Sequence, residues 1–270
     1  MKRFLLAASA IAFAGSATAA DMPARMAVKA PLVAAVPFTW SGCYVGGNAG
    51  YGWGRENFND PLNNFTLAPN NDLGIRSEGA IVGGQLGCNY QVASNWVIGV
   101  EGMGAWADIK GSQRDLVFGG KNTLSSKTEA LASITGRLGY SFDRVLFYGK
   151  GGGAWARDRY QNNFAGIAFF GIPPDVFTAR VDRFGWTLGA GVEWAFTDNW
   201  SAKLEYNHYD FGTKGVNLTD PVGAIIPINV TQRIDTVTVG INYRFWAPAS
   251  AVLICLTSPA CGVETSEARS

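Results

Sequence analysis

The chain has 270 residues and a formal net charge of +1, so it lacks the basic excess from which nucleic-acid-binding proteins gain affinity. Charged residues make up 16% of the chain, below the roughly 25% of soluble domains, whereas glycine (34 residues) and aromatic residues (13%) are abundant. Few charges together with many aromatic residues are typical of a β-barrel that faces lipid.

The N-terminal region shows the features of an export signal. Lys2 and Arg3 precede an apolar run that ends at Gly15 and a stretch of small residues over 16–20. This pattern predicts a secretory signal peptide over residues 1–20, because a membrane-spanning helix would need roughly 20 apolar residues. Residues 21–39 are rich in alanine, valine and proline and predict an extended periplasmic linker. We expect the folded unit over 40–245 and an atypical tail over 246–270.

Alternation of side chains is the main structural signal. Between Arg183 and Phe196, every second residue is apolar and most of these are large, including Trp186 and Leu188, and the others are mostly glycine or polar. Successive side chains of a strand point to opposite faces, so this segment predicts a strand between an oily and a polar environment. Eight segments show the pattern: Cys43–Trp53, Ala80–Tyr90, Trp96–Trp106, Ala132–Phe142, Val145–Trp155, Arg183–Phe196, Trp200–Asn207 and Thr236–Phe245.

The connections between these segments alternate in length. Short turns are expected at 93–95, 143–144 and 197–199, and long polar stretches lie near 55–78, 108–128, 157–181 and 212–233. Outer-membrane barrels have an even number of strands, short periplasmic turns and longer outer loops. The sequence therefore predicts an all-β fold, an eight-stranded antiparallel up-and-down transmembrane β-barrel with both ends in the periplasm.

A soluble lipocalin-like barrel is the alternative, and its apolar face would point inward. Its outer face should be rich in lysine and glutamate, yet here the polar face is mostly glycine, asparagine, threonine and serine. Aromatic residues also cluster at the strand ends, as in the girdles at the two membrane interfaces. They are Trp96, Tyr140, Phe142, Phe196, Trp200, Tyr243 and Phe245 at the periplasmic end, and Trp53, Trp106, Trp155 and Tyr206 at the outer end. Both observations favour the membrane barrel.

Charged residues on the polar face predict a plug in the lumen. A three-residue turn at 197–199 would place Glu193 opposite Lys203, which predicts a cross-strand ion pair. A two-residue turn at 143–144 would place Arg137 opposite Lys150, and two buried cations require carboxylates nearby. The hypothesis is a charged layer of Glu101, Arg137, Lys150 and Glu205, with Glu193 and Lys203 beneath it.

Two interpretations of that layer remain open. It is either a gate in a narrow ion path or a means of neutralising a polar core. Eight strands enclose only enough room for side chains, whereas wide channels need about 16 or more, so the structural interpretation is favoured.

The cysteines fall into two groups. Cys43 and Cys88 lie on outward faces at the periplasmic ends of adjacent predicted strands, so they can pair in a compartment that permits disulfides. The alternative is two small lipid-facing residues. Cys255 and Cys261 lie in the tail and can form a second bond.

Signals for catalysis are weak. His208, the single histidine, falls on an outward face near the outer rim, and no serine lies beside it in sequence. The glycine-rich run around Lys150 lacks the spacing of a phosphate-binding loop and lies in a predicted strand. We therefore expect no enzyme, no catalytic residues, and no cofactor or metal site.

Four motifs resemble those of the porin-like outer-membrane immunogenic proteins. They are WSGCYVGGN at 40–48, GRLGY at 136–140, WSAKLEY at 200–206 and VGINYRF at 239–245, and the Lys29-Ala30-Pro31 linker also matches. The resemblance covers residues 21–245. It implies an eight-stranded outer-membrane barrel, related in architecture to the OmpA transmembrane domain, with roles in envelope integrity and surface interaction. The family name includes "porin", which exceeds what an eight-stranded lumen supports.

The C-terminal end departs from the family pattern. Such barrels usually end on the aromatic residue that the assembly machinery reads, which here is Phe245 with Tyr243 before it, yet the chain continues to Ser270. The partners expected from the resemblance are outer-membrane lipid and lipopolysaccharide, the barrel-assembly machinery, and peptidoglycan or host surface molecules.

The leading functional prediction is a structural, surface-exposed barrel that supports the envelope and displays four loops. The alternatives are a small diffusion pore and a loop-mediated binding module. The second rests on the stretch 157–181, where four phenylalanines either dock a ligand or pack the loop on itself: Phe164, Phe169, Phe170 and Phe177.

Overall fold

The computed structural model of the chain describes residues 38–59, 72–93, 95–114, 123–164, 175–219 and 225–245. These residues contain no helix that could cross a membrane. They form eight strands: β1 (Gly42–Asn59), β2 (Asp72–Val92), β3 (Trp96–Arg114), β4 (Thr123–Phe142), β5 (Val145–Phe164), β6 (Asp175–Ala195), β7 (Trp200–Thr219) and β8 (Ile225–Phe245). Each strand pairs antiparallel with the next, and β8 pairs with β1, so the sheet closes into an up-and-down barrel as predicted.

The inside and outside faces follow the predicted alternation. Leu188 on β6 is 61% exposed and Trp106 on β3 is 78% exposed, whereas Thr187 and Glu193 are buried inside the barrel. The soluble, lipocalin-like alternative is wrong, because large apolar side chains such as Leu188 and Trp106 point outward.

The strands are 18 to 21 residues long, which corrects the predicted boundaries. At least half of each stretch predicted as a long loop continues as strand, so Phe177 lies in β6 and packs, half-buried, against an interior cluster. Phe164 ends β5, and Phe169 and Phe170 lie outside the described residues, as do the predicted signal peptide, most of the linker and the tail.

In the upper part of the strands the apolar residues change from the outer to the inner face, which explains why the predicted strands are too short. Near the extracellular end, Phe58, Ile75 and Tyr160 point inward, and charged residues such as Arg76 and Arg159 point outward or lie half-exposed. Above a membrane surface the outer face meets water, so the polar residues of a strand belong outside and the apolar ones inside. A search for an apolar outer face therefore misses these segments.

The short turns occur where they were predicted. Phe142 pairs with Val145, so Asp143 and Arg144 form a two-residue hairpin turn. Asp143 (φ 52°) and Ala93 (φ 55°) adopt the left-handed conformation that tight turns require. The ladder between β6 and β7 places Glu193 opposite Lys203 and Gly191 opposite Glu205, in the predicted register.

Aromatic side chains form a nearly continuous band around the periplasmic ends of the strands. Trp96 contacts Tyr140 edge to face with ring centroids 5.4 Å apart, and Trp200 contacts Tyr243 at 5.0 Å. Such edge-to-face pairs contribute about 0.5–1.5 kcal/mol beyond the area that they bury. The band marks the periplasmic interface of the membrane-spanning part.

The interior is closed at the periplasmic end by the residues that precede β1. Trp40 is buried among Val97, Leu146 and Tyr148, and its indole Nε1 donates to the carbonyl oxygen of Asp143 at 3.0 Å. Two further apolar clusters fill the interior toward the extracellular end. The polar part of the lumen lies between these apolar layers.

Candidate functional site in the barrel lumen

The six charged residues predicted for the lumen meet in a single buried network. Five strands supply them, and none is more than 4% exposed. They are Glu101 on β3, Arg137 on β4, Lys150 on β5, Glu193 on β6, and Lys203 and Glu205 on β7.

Two lysines and two glutamates form the centre of the network. Lys150 Nζ lies 2.9 Å from Glu101 Oε1 and 2.6 Å from Glu205 Oε1. Lys203 Nζ lies 3.1 Å from Glu101 Oε2 and 3.3 Å from Glu205 Oε2. Each ammonium group thus bridges the same two carboxylates across the lumen, and each carboxylate meets both cations.

Arg137 joins a third carboxylate to this centre. Its Nη2 donates to Glu193 Oε2 at 2.9 Å, and its Nη1 lies 3.6 Å from Glu101 Oε2. The guanidinium carbon stands 3.8 Å from the ring centroid of Tyr148, a cation–π distance. The arginine side chain is therefore held by ion pairs and by an aromatic face together.

The predicted ion pair between Glu193 and Lys203 is wrong, although the two residues face each other in register. Glu193 instead accepts from Arg137, from Ser201 Oγ at 2.6 Å and from Asn242 Nδ2 at 2.9 Å. Lys203 carries its charge at the end of a four-carbon stem, which places Nζ between two other carboxylates. Cross-strand register fixes where Cβ atoms lie, but in a narrow lumen it does not fix which partner a long side chain reaches. The two predicted layers are consequently one network.

Two tyrosines that the sequence analysis did not select complete the network. Tyr44 donates to Glu101 Oε2 at 2.7 Å, and Tyr148 donates to Glu205 Oε2 at 2.7 Å. The two pairs repeat one arrangement in each half of the barrel: each tyrosine precedes its glutamate by 57 residues and lies two strands before it.

The glycine opposite each tyrosine is the sequence signal for these pairs. Tyr44 faces Gly87 and Tyr148 faces Gly191 across the ladder. A Cβ atom at Gly191 would lie 2.6 Å from Tyr148 Cζ, so only glycine leaves room for the ring. Paired inward tyrosine and glycine positions thus reveal rings that lie flat against the inner wall.

A chain of amides connects the network to β1, β2 and β8. Gln85 Nε2 donates to Asn242 Oδ1 at 2.7 Å, and Gln85 Oε1 accepts from Asn48 Nδ2. Because Asn242 also donates to Glu193, the polar layer extends across the whole cross-section of the barrel.

The formal charges of the network balance, with three carboxylates and three cations. A buried charge without compensation is costly, and a buried group of ions is tolerated when its members pair and hydrogen-bond with one another. The arrangement is suited to closing the lumen with a rigid polar core.

A second buried charged group lies toward the extracellular end. Arg183 Nε is 3.4 Å from Asp158 Oδ2, and Gln232 Nε2 donates to Asp158 Oδ1 at 3.0 Å. Glu56 is also buried at this level. The sequence analysis placed Arg183 on an inward face but left Glu56 and Asp158 in loops, because it ended the strands too early.

The remaining predicted residues lie outside the lumen. Cys43 and Cys88 are paired across β1 and β2 at the periplasmic end and are joined by a disulfide, with an S–S distance of 2.07 Å. His208 is half-buried on the outer face and contacts Asp235, with Nδ1 2.7 Å from Oδ1. Tyr243 and Phe245 point outward at the end of β8. In the part of the chain that the structure describes, no three His, Cys, Asp or Glu side chains are grouped as metal ligands.

The chain was compared with known proteins and family models. Residues 5–245 match the model described as outer membrane protein beta-barrel domain. The 31 kDa outer-membrane immunogenic protein of Brucella melitensis biotype 1 is 33% identical over 255 residues, which cover 91% of this chain and all of the relative. The 25 kDa outer-membrane immunogenic protein of Brucella canis is 30% identical over 244 residues, covering 89% of this chain and 94% of the relative.

Among solved structures, the outer membrane protein OprG of Pseudomonas aeruginosa superposes with a TM-score of 0.50 at 12% identity, covering 78% of this chain and 99% of that one. This likeness concerns the fold alone. The resemblance drawn from the four sequence motifs is confirmed by the family match and by the relatives. The chain therefore belongs to the outer membrane protein β-barrel family, and it is an outer-membrane protein of the Gram-negative envelope.

Proposed function

We propose that the protein is a closed structural barrel that contributes to the integrity of the outer membrane, rather than a diffusion pore or an enzyme. The observation that carries the proposal is the charge-balanced network of six buried side chains across the lumen. The names of the relatives, outer-membrane immunogenic proteins, support a surface-exposed role without catalysis.

The lumen contents argue against permeation. Four ion pairs between two lysines and two glutamates occupy the centre of the barrel, and Trp40 lies buried at the periplasmic end. An ion that passed this layer would have to separate desolvated pairs, and removing one partner of such a pair costs about 3–5 kcal/mol. A gate would also need a second arrangement of similar energy, whereas each carboxylate here is already bonded on both oxygens.

Conductance of the refolded full chain in planar bilayers tests the closed lumen. We expect no unitary current steps from the wild-type protein under conditions in which a large porin inserts and conducts. The variant Lys150→Ala removes one bridging cation and serves as the comparison. Discrete steps in the wild type whose amplitude changes in Lys150→Ala would establish a pore and contradict the proposal.

The envelope role requires a separate test in cells. Deleting the gene is expected to raise the uptake of a hydrophobic fluorescent dye and the sensitivity to detergent, and a wild-type copy should restore both. Unchanged permeability, with the protein abundant in the parent strain, would contradict an envelope function while leaving the closed lumen unaffected.

A further inference from the structure

Basic residues form two cross-strand rows on the outer face of the barrel. In the first row, Arg55 on β1 is directly opposite Arg233 on β8 and Arg76 on β2. The second row continues across four strands, each residue opposite the next: Lys110 on β3, Lys127 on β4, Arg159 on β5 and Arg180 on β6. Like charges directly opposite each other destabilise a sheet, so these rows call for a compensating charge.

The rows lie just above the upper aromatic girdle. Arg55 follows Trp53 by two residues, Lys110 follows Trp106 by four, and both tryptophans point outward. A strand rises about 3.3 Å per residue and tilts by about 40° in a small barrel, so the charges stand roughly 5–10 Å above the girdle. Girdles mark the membrane interface, which places the rows at the level of lipid headgroups in the outer leaflet.

Carboxylates of the protein neutralise the rows only in part. Asp108 is shared by Lys110 at 2.8 Å and Lys127 at 3.0 Å. Two more pairs, Arg159 with Glu129 and Arg233 with Asp210, have distances of 2.9 and 3.0 Å. Among the described residues, three arginines of the rows form no ion pair: Arg55, Arg76 and Arg180. A fourth carboxylate, Glu78, lies opposite Lys110. The seven basic residues of the two rows therefore face four carboxylates, which leaves an excess of three positive charges.

A cleft brings most of these residues together. It measures about 800 Å³ and is lined by Arg55, Arg76, Lys110, Lys127 and Arg159, with Trp53 at its membrane side and serine residues between the strands. Arginine presents a planar fork of donors that matches the oxygens of a phosphate group, and lysine adds a point charge. The cleft thus combines anion donors above with an aromatic surface below.

We propose that this cleft binds the phosphate groups of the glycolipid of the outer leaflet, the lipid A part of lipopolysaccharide, and that Trp53 contacts an acyl chain of the same molecule. We assign the phosphate groups to a membrane lipid because of the height of the cleft. Its basic end is at headgroup level, and its tryptophan end faces the hydrocarbon. The inference rests on the outer-membrane location and is independent of whether the lumen conducts.

The experiment measures binding of purified lipid A to the refolded full chain in detergent micelles by native mass spectrometry. Diphosphorylated lipid A should bind at least tenfold more tightly than the same lipid with its phosphates removed, and this arm needs no variant. Arg55→Gln/Arg76→Gln should weaken binding of the diphosphorylated lipid about tenfold. The control Arg144→Gln/Arg157→Gln removes the same charge from ion-paired arginines outside the cleft and should change binding less than twofold.

Heat-modifiable gel mobility verifies that each variant is folded. Equal affinity for both forms of lipid A overturns the proposal, and so does an equal loss of binding in the two double variants. Inorganic phosphate and a soluble sulfated oligosaccharide test the other source of anions: if either competes fully at concentrations comparable with lipid A, the site takes soluble anions and the lipid assignment is overturned.

Discussion

Replacing Lys150 by methionine tests the energetic basis of the plug. Lys150→Met keeps most of the apolar stem and removes the ammonium group that lies 2.9 Å from Glu101 and 2.6 Å from Glu205. Removing one partner of a buried ion pair costs about 3–5 kcal/mol, because the other charge stays buried. Lys203 still contacts both carboxylates, so we expect a loss of about 3 kcal/mol in the free energy of unfolding.

The measurement is reversible urea unfolding of the barrel in lipid vesicles, followed by tryptophan fluorescence. Lys110→Met is the matched control, because Lys110 is exposed and its pair with Asp108 is open to water, where ion pairs contribute little. Lys150→Met/Glu205→Gln restores formal neutrality. We expect it to cost less than the sum of the single changes, with a coupling energy of about 1–2 kcal/mol.

Two results would refute this reasoning. If Lys150→Met destabilised the barrel no more than Lys110→Met, the lumen would be hydrated enough to tolerate an unpaired carboxylate. If the double variant lost the full sum of the single effects, the charges would act independently and would not form one network.

Four further predictions use the same unfolding assay. Trp40→Ala should cost about 3–5 kcal/mol, because it removes a buried ring and its indole hydrogen bond, whereas a loss below 1 kcal/mol would show that the periplasmic cap does not pack. Gly191→Ala should cost about 1–3 kcal/mol by pushing the Tyr148 ring from the wall, and Gly136→Ala, where a Cβ meets no atom within 4 Å, is its control. Reductant should lower wild-type stability by about 2–4 kcal/mol and leave Cys43→Ser unaffected, and equal responses would argue against the bond to Cys88. Glu56→Gln should raise stability by about 1 kcal/mol, because Glu56 is buried and neither of its carboxylate oxygens has a hydrogen-bond partner among the described residues, and destabilisation would show that the carboxylate is compensated.

For all six charged residues of the network, the sequence predicted on which side of the sheet the side chain lies, and it also predicted that Glu193 and Lys203 lie opposite each other. This was possible because the two-residue period of a strand is strict and the short turns at 143–144 and 197–199 fix the register. Which carboxylate each buried cation contacts could not be predicted in the same way. In a lumen this narrow, Lys203 reaches a carboxylate on β3, four strands before its own, as easily as one on a neighbouring strand.

The limits of the strands were also hidden from the sequence, for a different reason. The prediction searched for an apolar outer face, and this criterion fails as soon as the strand leaves the membrane. At Ile75 and Arg76 on β2 the apolar residue points inward and the charged one outward, which is the reverse of Val82 and Gly83 lower on the same strand. The two-residue alternation itself continues through this region, so a criterion that did not require the apolar residues to point outward would have extended β2.

This reversal explains why the lumen is polar at one depth and apolar at another. Within the membrane most large apolar side chains of the strands face lipid, so ion pairs and hydrogen bonds fill much of the interior, in a setting where unpaired polar groups are costly. Above the girdle the outer face meets water, and Phe58, Ile75, Tyr160 and Val230 close the barrel by ordinary apolar packing. All six residues of the network lie below that boundary, between the apolar cluster around Trp40 and the apolar clusters nearer the extracellular end. A charge-balanced network suits this position, because an uncompensated charge buried at this depth would be costly.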